Sequence, residues 1–236
     1  MQPPFVHWPT CSQARCPQVW AGQPTVYSAA VADLPFPLDP PLGATLAGAL
    51  DVEGKIIRAL DALGPIAERD VVVVGSGESE RRRLDELAGR VIAVDPVGRT
   101  TGRSWGLPDA TADAVVAAWS AFRGVDPDEI GEADRVLRPS GRLLIVHDYG
   151  RDDVSRLRGD LPEYTDWSRR DGPFLAAGFR IRVIHCFWTF ESIETARAFL
   201  ASAFGEKGTA FAEGLKRPRL SYNVAVYHRT RGGLDG

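Results

Sequence analysis

The stretch Asp70-Val71-Val72-Val73-Val74-Gly75-Ser76-Gly77-Glu78 decides the fold of this 236-residue chain. Four consecutive valines leave the strand without a polar face, which is typical of a central parallel strand covered on both sides. The glycines turn the chain, and residues 78–84 have the composition of a helix. The succession of strand, glycine turn and helix predicts the first unit of an α/β sheet.

The same strand pattern returns on the carboxyl side of this unit. Residues 91–94 (Val-Ile-Ala-Val) end at Asp95, and residues 114–117 (Ala-Val-Val-Ala) lead to Trp119. A helix follows, with Asp126 as its predicted N-cap, and then a strand over 142–147. Strands that alternate with helices predict a parallel sheet with right-handed crossovers.

The last third of the chain changes pattern. Apolar residues alternate with arginines from Phe179, which predicts a half-exposed strand that runs on to Trp188. Apolar residues at helical spacing begin at Ile193, and residues 222–227 predict a last strand. A domain over 42–228 and a frayed tail over 229–236 are therefore expected.

The amino-terminal stretch is rich in proline. Nine of the 17 prolines fall within the first 41 residues, where no apolar period of 2 or 3.6 is sustained. We expect an extended arm over 1–41, and its aromatic residues predict that it packs over the carboxyl ends of the strands as a lid. Packing elsewhere and self-association are the alternatives. A first helix is predicted from the apolar spacing of Val52, Ile56, Leu60 and Leu63.

Bulk composition excludes some partners. The chain has 28 Lys and Arg against 31 Asp and Glu, so it lacks the basic excess of a nucleic-acid-binding protein. Its apolar runs are far shorter than a membrane span, and its amino terminus has no signal-peptide pattern. Three cysteines predict no disulfide framework, and His7, Cys11 and Cys16 do not make a complete metal-ligand set. We expect a cytoplasmic protein with a small-molecule partner and no metal.

Candidate ligand residues follow three of the predicted strands. Ligands of open parallel sheets bind outside the carboxyl ends of the strands, here at Gly75-Ser76-Gly77, Asp95 and Trp119. A glycine pair alone is as typical of a structural turn as of a ligand loop. A carboxylate at the end of the next strand makes the pattern more specific, because it can accept hydrogen bonds from both ribose hydroxyls of a nucleoside.

The charges at the glycine turn distinguish between two candidate nucleoside cofactors. Glu80 occupies the place of the third glycine in the dinucleotide pattern, and Glu78 lies beside it. Two carboxylates would oppose a pyrophosphate at the helix start, which disfavours NAD and an oxidoreductase. S-adenosylmethionine carries a sulfonium and an ammonium and no phosphate. The alternative is that both carboxylates only stabilise the positive end of the helix.

Four segments resemble the class I S-adenosylmethionine-dependent methyltransferases, in particular their small-molecule branch called type 11. They are residues 71–77, 91–95, 107–116 and, above all, 132–144 (Glu-Ala-Asp-Arg-Val-Leu-Arg-Pro-Ser-Gly-Arg-Leu-Leu). The resemblance covers about residues 52–228. It implies a mostly parallel Rossmann-like sheet with one antiparallel strand. It also implies that residues 75–78 cradle the methionine part of the cofactor and that Asp95 binds its ribose.

The chain departs from the family pattern in three places. Val73 and Ser79 stand where the family usually has an acidic residue and a third glycine. The segment between Asp95 and Asp113 is short for a full crossover, so the third strand is predicted to be short, over 99–101, or absent. Ser104 or Trp105 would then contact the adenine, unless this segment is only a remodelled loop.

Two residues after the strand 142–147 are candidate general bases. His147 and Tyr149 lie where an acid or base would reach a methyl acceptor, although they would equally serve to end the strand. Trp119 would form a wall beside the sulfonium or complete the core. The expected function is methyl transfer to a small molecule. The alternative is a non-catalytic Rossmann-like partner that has lost its cofactor contacts.

Overall fold

The structure is a computed structural model that describes residues 38–75, 77–95, 104–119 and 121–232. Its helices are α1 (Pro40–Ala49), α2 (Lys55–Leu63), α3 (Glu78–Asp85), α4 (Pro127–Val136), α5 (Asp153–Arg158), α6 (Pro162–Thr165), α7 (Pro173–Ala176) and α8 (Ile193–Glu213). Its strands are β1 (Asp70–Val74), β2 (Arg90–Val94), β3 (Ala112–Ala118), β4 (Leu137–Asp148), β5 (Arg180–Thr189) and β6 (Arg219–Thr230).

The six strands form one sheet in the order β2-β1-β3-β4-β6-β5. The first four pair in parallel, and β6 runs antiparallel to both of its neighbours, β4 and β5. The predicted α/β fold with a mostly parallel, Rossmann-like sheet and one antiparallel strand is confirmed. Residues 99–101, where a short third strand was predicted, lie outside the described residues.

The valine run of β1 is the centre of the sheet, as its composition predicts. All four valines are fully buried. Val71 and Val73 pack into the layer that contains Leu46 of α1 and Leu60 of α2. Their neighbours in β1 face the opposite layer, which α4 and α7 cover. Burial of each valine stabilises the folded protein by about 1.5 to 3 kcal/mol. Because alternate valines face opposite layers, β1 contributes to the core on both sides of the sheet.

The register brings several strand ends to one edge. Val74 lies opposite Val94 of β2 on one side and Ala117 of β3 on the other. Ala118 lies opposite Val146 of β4. The residues that follow β1, β2, β3 and β4 therefore gather at the carboxyl edge of the sheet, where ligands of this architecture bind.

The amino-terminal helices differ from the prediction. Val52 lies in a turn with 58% of its surface exposed, because the helix starts only at Lys55. The Asp51 carboxylate accepts hydrogen bonds from the N–H groups of Lys55 and Ile56, at 2.9 and 2.7 Å. Helix α1 was not predicted, and it begins at Pro40, within the predicted arm. The remainder of that arm, residues 1–37, lies outside the described part of the chain.

The carboxyl-terminal tail starts later than predicted. Strand β6 continues to Thr230, and Leu143 of β4 lies opposite Arg229. The Arg229 side chain is buried and forms an ion pair with Asp134 at 2.7 Å. The expectation of a frayed chain from residue 229 is therefore wrong for its first residues, because ladder pairing and this ion pair hold them. Within the described ranges, no helix is both long and apolar enough to cross a membrane.

Candidate cofactor and acceptor site

The glycine turn joins β1 to α3 at the carboxyl edge. Gly75 has a left-handed φ of +64°, which glycine adopts without strain, and its N–H donates to the Val94 carbonyl at 2.9 Å. Gly77 is buried and forms the N-cap of α3 without a side-chain cap bond. The first N–H groups of a helix have no partner within the helix, and among the described residues no side chain is found to cap these, so they suit an anionic group such as a carboxylate. Ser76 lies outside the described residues, and Glu78 is the first residue of α3.

Asp95 follows β2 directly and is exposed. The register that pairs Val74 with Val94 places it beside the turn at Gly75. The structure thus brings Asp95 and the glycine turn together, as predicted. A ribose contact by Asp95 stays a prediction.

Trp119 follows β3 directly and has an unusual backbone conformation. Its φ of +49° lies in the left-handed region, which is costly for a bulky residue and often marks a functional site. Its N–H donates to the Val146 carbonyl at 2.9 Å. Its indole Nε1 donates to Asp148 Oδ1 at 3.1 Å and to the Tyr222 hydroxyl at 3.0 Å. These bonds hold the side chain in one orientation at the edge.

Asp148 is the centre of a buried polar cluster at the end of β4. Besides the indole, its carboxylate accepts hydrogen bonds from the Tyr222 hydroxyl and the Arg158 guanidinium. Only 3% of Asp148 is exposed. Burial raises the pKa of Tyr222 and lowers that of Arg158. No local pattern predicts this cluster, because its members come from four separate segments.

Trp119 also lines a pocket. Its apolar lining comes from α1, α2 and the residue after α1, and its polar lining comes from α3. The lining residues are Ala47, Leu50, Ile56, Ile57, Ser79, Glu80, Arg83 and Trp119. Burial raises the pKa of Glu80 to about 7, and the Asp51 carboxylate acts in the same direction while Arg83 opposes them.

His147 does not face the edge of the sheet. It is fully buried, its Nε2 lies 3.0 Å from the Phe122 carbonyl oxygen, and its ring contacts Trp167 edge-on at 4.8 Å between centroids. Burial lowers the pKa of His147 to about 3. Tyr149 is half-buried, with the Arg151 guanidinium 5.6 Å from its ring centroid. A catalytic role for either residue stays a prediction, and burial makes access to His147 difficult.

Ser104 and Trp105 lie against α4. The Ser104 hydroxyl and the Trp105 N–H both donate to Glu132 Oε1, at 3.0 and 2.8 Å. Hydrogen bonds from Arg135 are the main reason that the pKa of Glu132 falls to about 2. The Trp105 Nε1 atom is buried and has no hydrogen-bond partner among the described residues.

The comparisons with known proteins find partial sequence relatives and a shared fold. No family model matches the sequence. Uncharacterised methyltransferases of Mycobacterium bovis and Mycobacterium tuberculosis are each 36% identical to this chain over a 107-residue alignment, and the match covers 38% of this chain and 44% of each relative. The chain thus matches less than half the length of these curated relatives.

A solved structure shares the fold. A proposed type II methyltransferase from Anaeromyxobacter dehalogenans superposes with a TM-score of 0.50 and 20% identity, covering 76% of this chain and 96% of that one. The chain is therefore similar to methyltransferases in sequence over part of its length and in fold over about three quarters of it.

Proposed function

We propose that this protein transfers a methyl group from S-adenosylmethionine to a small-molecule acceptor. The observation that carries the proposal is the meeting of the glycine turn, Asp95, Glu80 and Trp119 at one edge of a Rossmann-like sheet. The partial sequence similarity to methyltransferases supports the same reaction. When bound, the cofactor would supply a methyl group on a positively charged sulfur. A nucleophilic atom of the acceptor would bond to the methyl carbon while the carbon–sulfur bond breaks, and the neutral thioether would leave.

The described residues fit the chemistry of this cofactor. The N–H groups after Gly77 suit its carboxylate, and the Asp95 carboxylate suits its ribose hydroxyls. The partnerless Trp105 Nε1 suits a ring nitrogen of adenine. The indole of Trp119 suits a positively charged neighbour.

The protein contributes mainly alignment and exclusion of water. A direct displacement gains most from holding the two reacting groups in line, so a general base is optional. The contacts of Trp119 with Asp148 and Tyr222 would fix one wall of the site. Tyr149 would act as the base if the acceptor is a hydroxyl, because it retains exposed surface that His147 lacks.

A second candidate function is a non-catalytic binding partner. It is favoured by Val73, which is fully buried in an apolar layer and supplies no carboxylate at the end of β1. Such a protein would keep the fold without binding the cofactor. Direct binding measurements separate the two functions.

Asp95→Ala is expected to weaken cofactor binding. A hydrogen bond to a charged group contributes about 1.5 to 3 kcal/mol, so the dissociation constant for S-adenosylhomocysteine should rise by about ten- to a hundredfold. Titration calorimetry measures this change. Asp85→Ala is the matched control, because Asp85 is also exposed but lies at the far end of α3. Equal affinities for the Asp95 variant and the wild type would remove Asp95 from the site.

A further inference from the structure

The pocket beside Trp119 has the chemistry of a site for an organic cation. We propose that Glu80 binds the ammonium group of the methionine part of S-adenosylmethionine. This inference rests on the proposed function and deepens it, because it assigns a ligand group to a residue whose alternative role is to stabilise the positive end of the helix.

The first support is the position of Glu80. It lies in the first turn of α3, directly after the glycine turn, and lines the pocket together with Trp119. The opposite walls come from apolar residues of α1 and α2, such as Ala47 and Ile56. Ser79 and Arg83 of α3 complete the lining, and the Arg83 guanidinium donates to the Leu50 carbonyl at 3.1 Å. The Glu80 carboxylate and the Trp119 indole are the two groups of the lining that suit a cation.

The second support is the lack of a structural partner for this carboxylate. None of the described residues donates a hydrogen bond to Glu80, and no ion pair closer than 4 Å is found for it among them. Arg83 is the one of the three arginines of α3 whose charge lowers the pKa of Glu80, but its guanidinium donates to the Leu50 carbonyl at 3.1 Å. Asp51 faces Glu80 from the turn between α1 and α2 and adds negative charge. A half-buried carboxylate without an ion-pair partner destabilises the folded protein, and a bound cationic ligand would offset that cost.

The third support is that the carboxyl half of β1 is formed by valines, since the acid of this strand, Asp70, lies at its amino end. Val73 is buried in the apolar layer that also contains Leu60. The end of β1 therefore provides no negative charge for an ammonium group. Glu80 would provide that charge from the first turn of the following helix.

The experiment compares two ligands that differ in the group concerned. S-adenosylhomocysteine has the ammonium, whereas 5′-methylthioadenosine keeps the nucleoside and lacks the amino-acid part. Calorimetry at pH 8 would measure both with the wild type, Glu80→Gln and Glu86→Gln. Glu86 is an exposed glutamate at the end of α3 and serves as the control.

Glu80→Gln is expected to weaken S-adenosylhomocysteine binding by about tenfold or more, because a charge-assisted hydrogen bond is lost. Its affinity for 5′-methylthioadenosine should stay within about twofold of the wild type, and Glu86→Gln should change neither. Unchanged S-adenosylhomocysteine binding, or an equal loss for both ligands, would overturn the assignment of Glu80. Failure of the wild type to bind either ligand would instead overturn the proposed function.

A pH series gives an independent readout. The wild type should bind S-adenosylhomocysteine more tightly as the pH rises from 6 to 8, because Glu80 then loses its proton and gains the charge that the ammonium needs. This dependence should be smaller in Glu80→Gln. An identical pH dependence in the two proteins would contradict the proposal.

Discussion

Asp148→Ala is expected to destabilise the protein by about 3 to 5 kcal/mol, which is the cost of breaking a buried ion pair by removing one partner. The change takes away the carboxylate that pairs with Arg158, whose side chain is only 13% exposed. It also removes the acceptor for Tyr222 and for the indole of Trp119. Urea unfolding at pH 7 measures the loss.

The matched control is an exposed ion pair. Asp171 pairs with Arg169 at 2.9 Å on the surface, and both side chains are more than half exposed. Asp171→Ala should change the free energy of unfolding by less than about 1 kcal/mol. Asp148→Asn tests the charge itself, since asparagine keeps an oxygen for Trp119 and Tyr222 but has no charge for Arg158. A cost for Asp148→Ala no larger than that of the control would show that the cluster does not hold this edge.

The stability of the protein should also depend on the protonation of His147. In the unfolded chain the imidazole takes up a proton near pH 6.5, whereas burial in the folded protein delays protonation to about pH 3. Between these values the unfolded state binds more protons, so stability falls as the pH falls. The contribution lost between pH 7 and pH 5 is about 2 kcal/mol.

His147→Gln isolates this contribution. Glutamine keeps an N–H donor for the Phe122 carbonyl and cannot titrate, so its free energy of unfolding should depend less steeply on pH over this range. Comparing urea unfolding of the variant and the wild type at pH 7 and pH 5 cancels the other titrating groups. A wild-type slope in His147→Gln would show that the pKa of His147 is the same in the folded and unfolded protein, and would contradict this account.

The sheet could be predicted from the sequence because its evidence is local. The valine run of β1 and the strand before Asp95 need no knowledge of distant partners, and their order along the chain implies a shared edge. Helix α1 was missed although it has a local start pattern. The Asp39 carboxylate accepts from the Leu42 N–H at 2.9 Å, with proline at the first helical position, yet these prolines were counted with the proline-rich arm.

The polar part of the site could not be predicted in the same way. Trp119 and Tyr222 are 103 residues apart, and only tertiary packing brings them to Asp148. Glu80 is ambiguous for another reason, because a glutamate in the first turn of a helix suits the helix dipole whether or not it lines a pocket. Only its place in the pocket lining beside Trp119 distinguishes the two roles. The lid over the site stays a prediction, since residues 1–37 lie outside the described chain.

Calorimetric titration of the full-length wild type with S-adenosylhomocysteine tests the central claim most directly. This ligand has the nucleoside and the amino-acid part of the cofactor but no methyl group to transfer, so binding is measured without an acceptor. We predict saturable binding with one ligand per chain, and weaker binding by Asp95→Ala. No binding by a protein that circular dichroism shows to be folded would contradict the account and favour the non-catalytic partner.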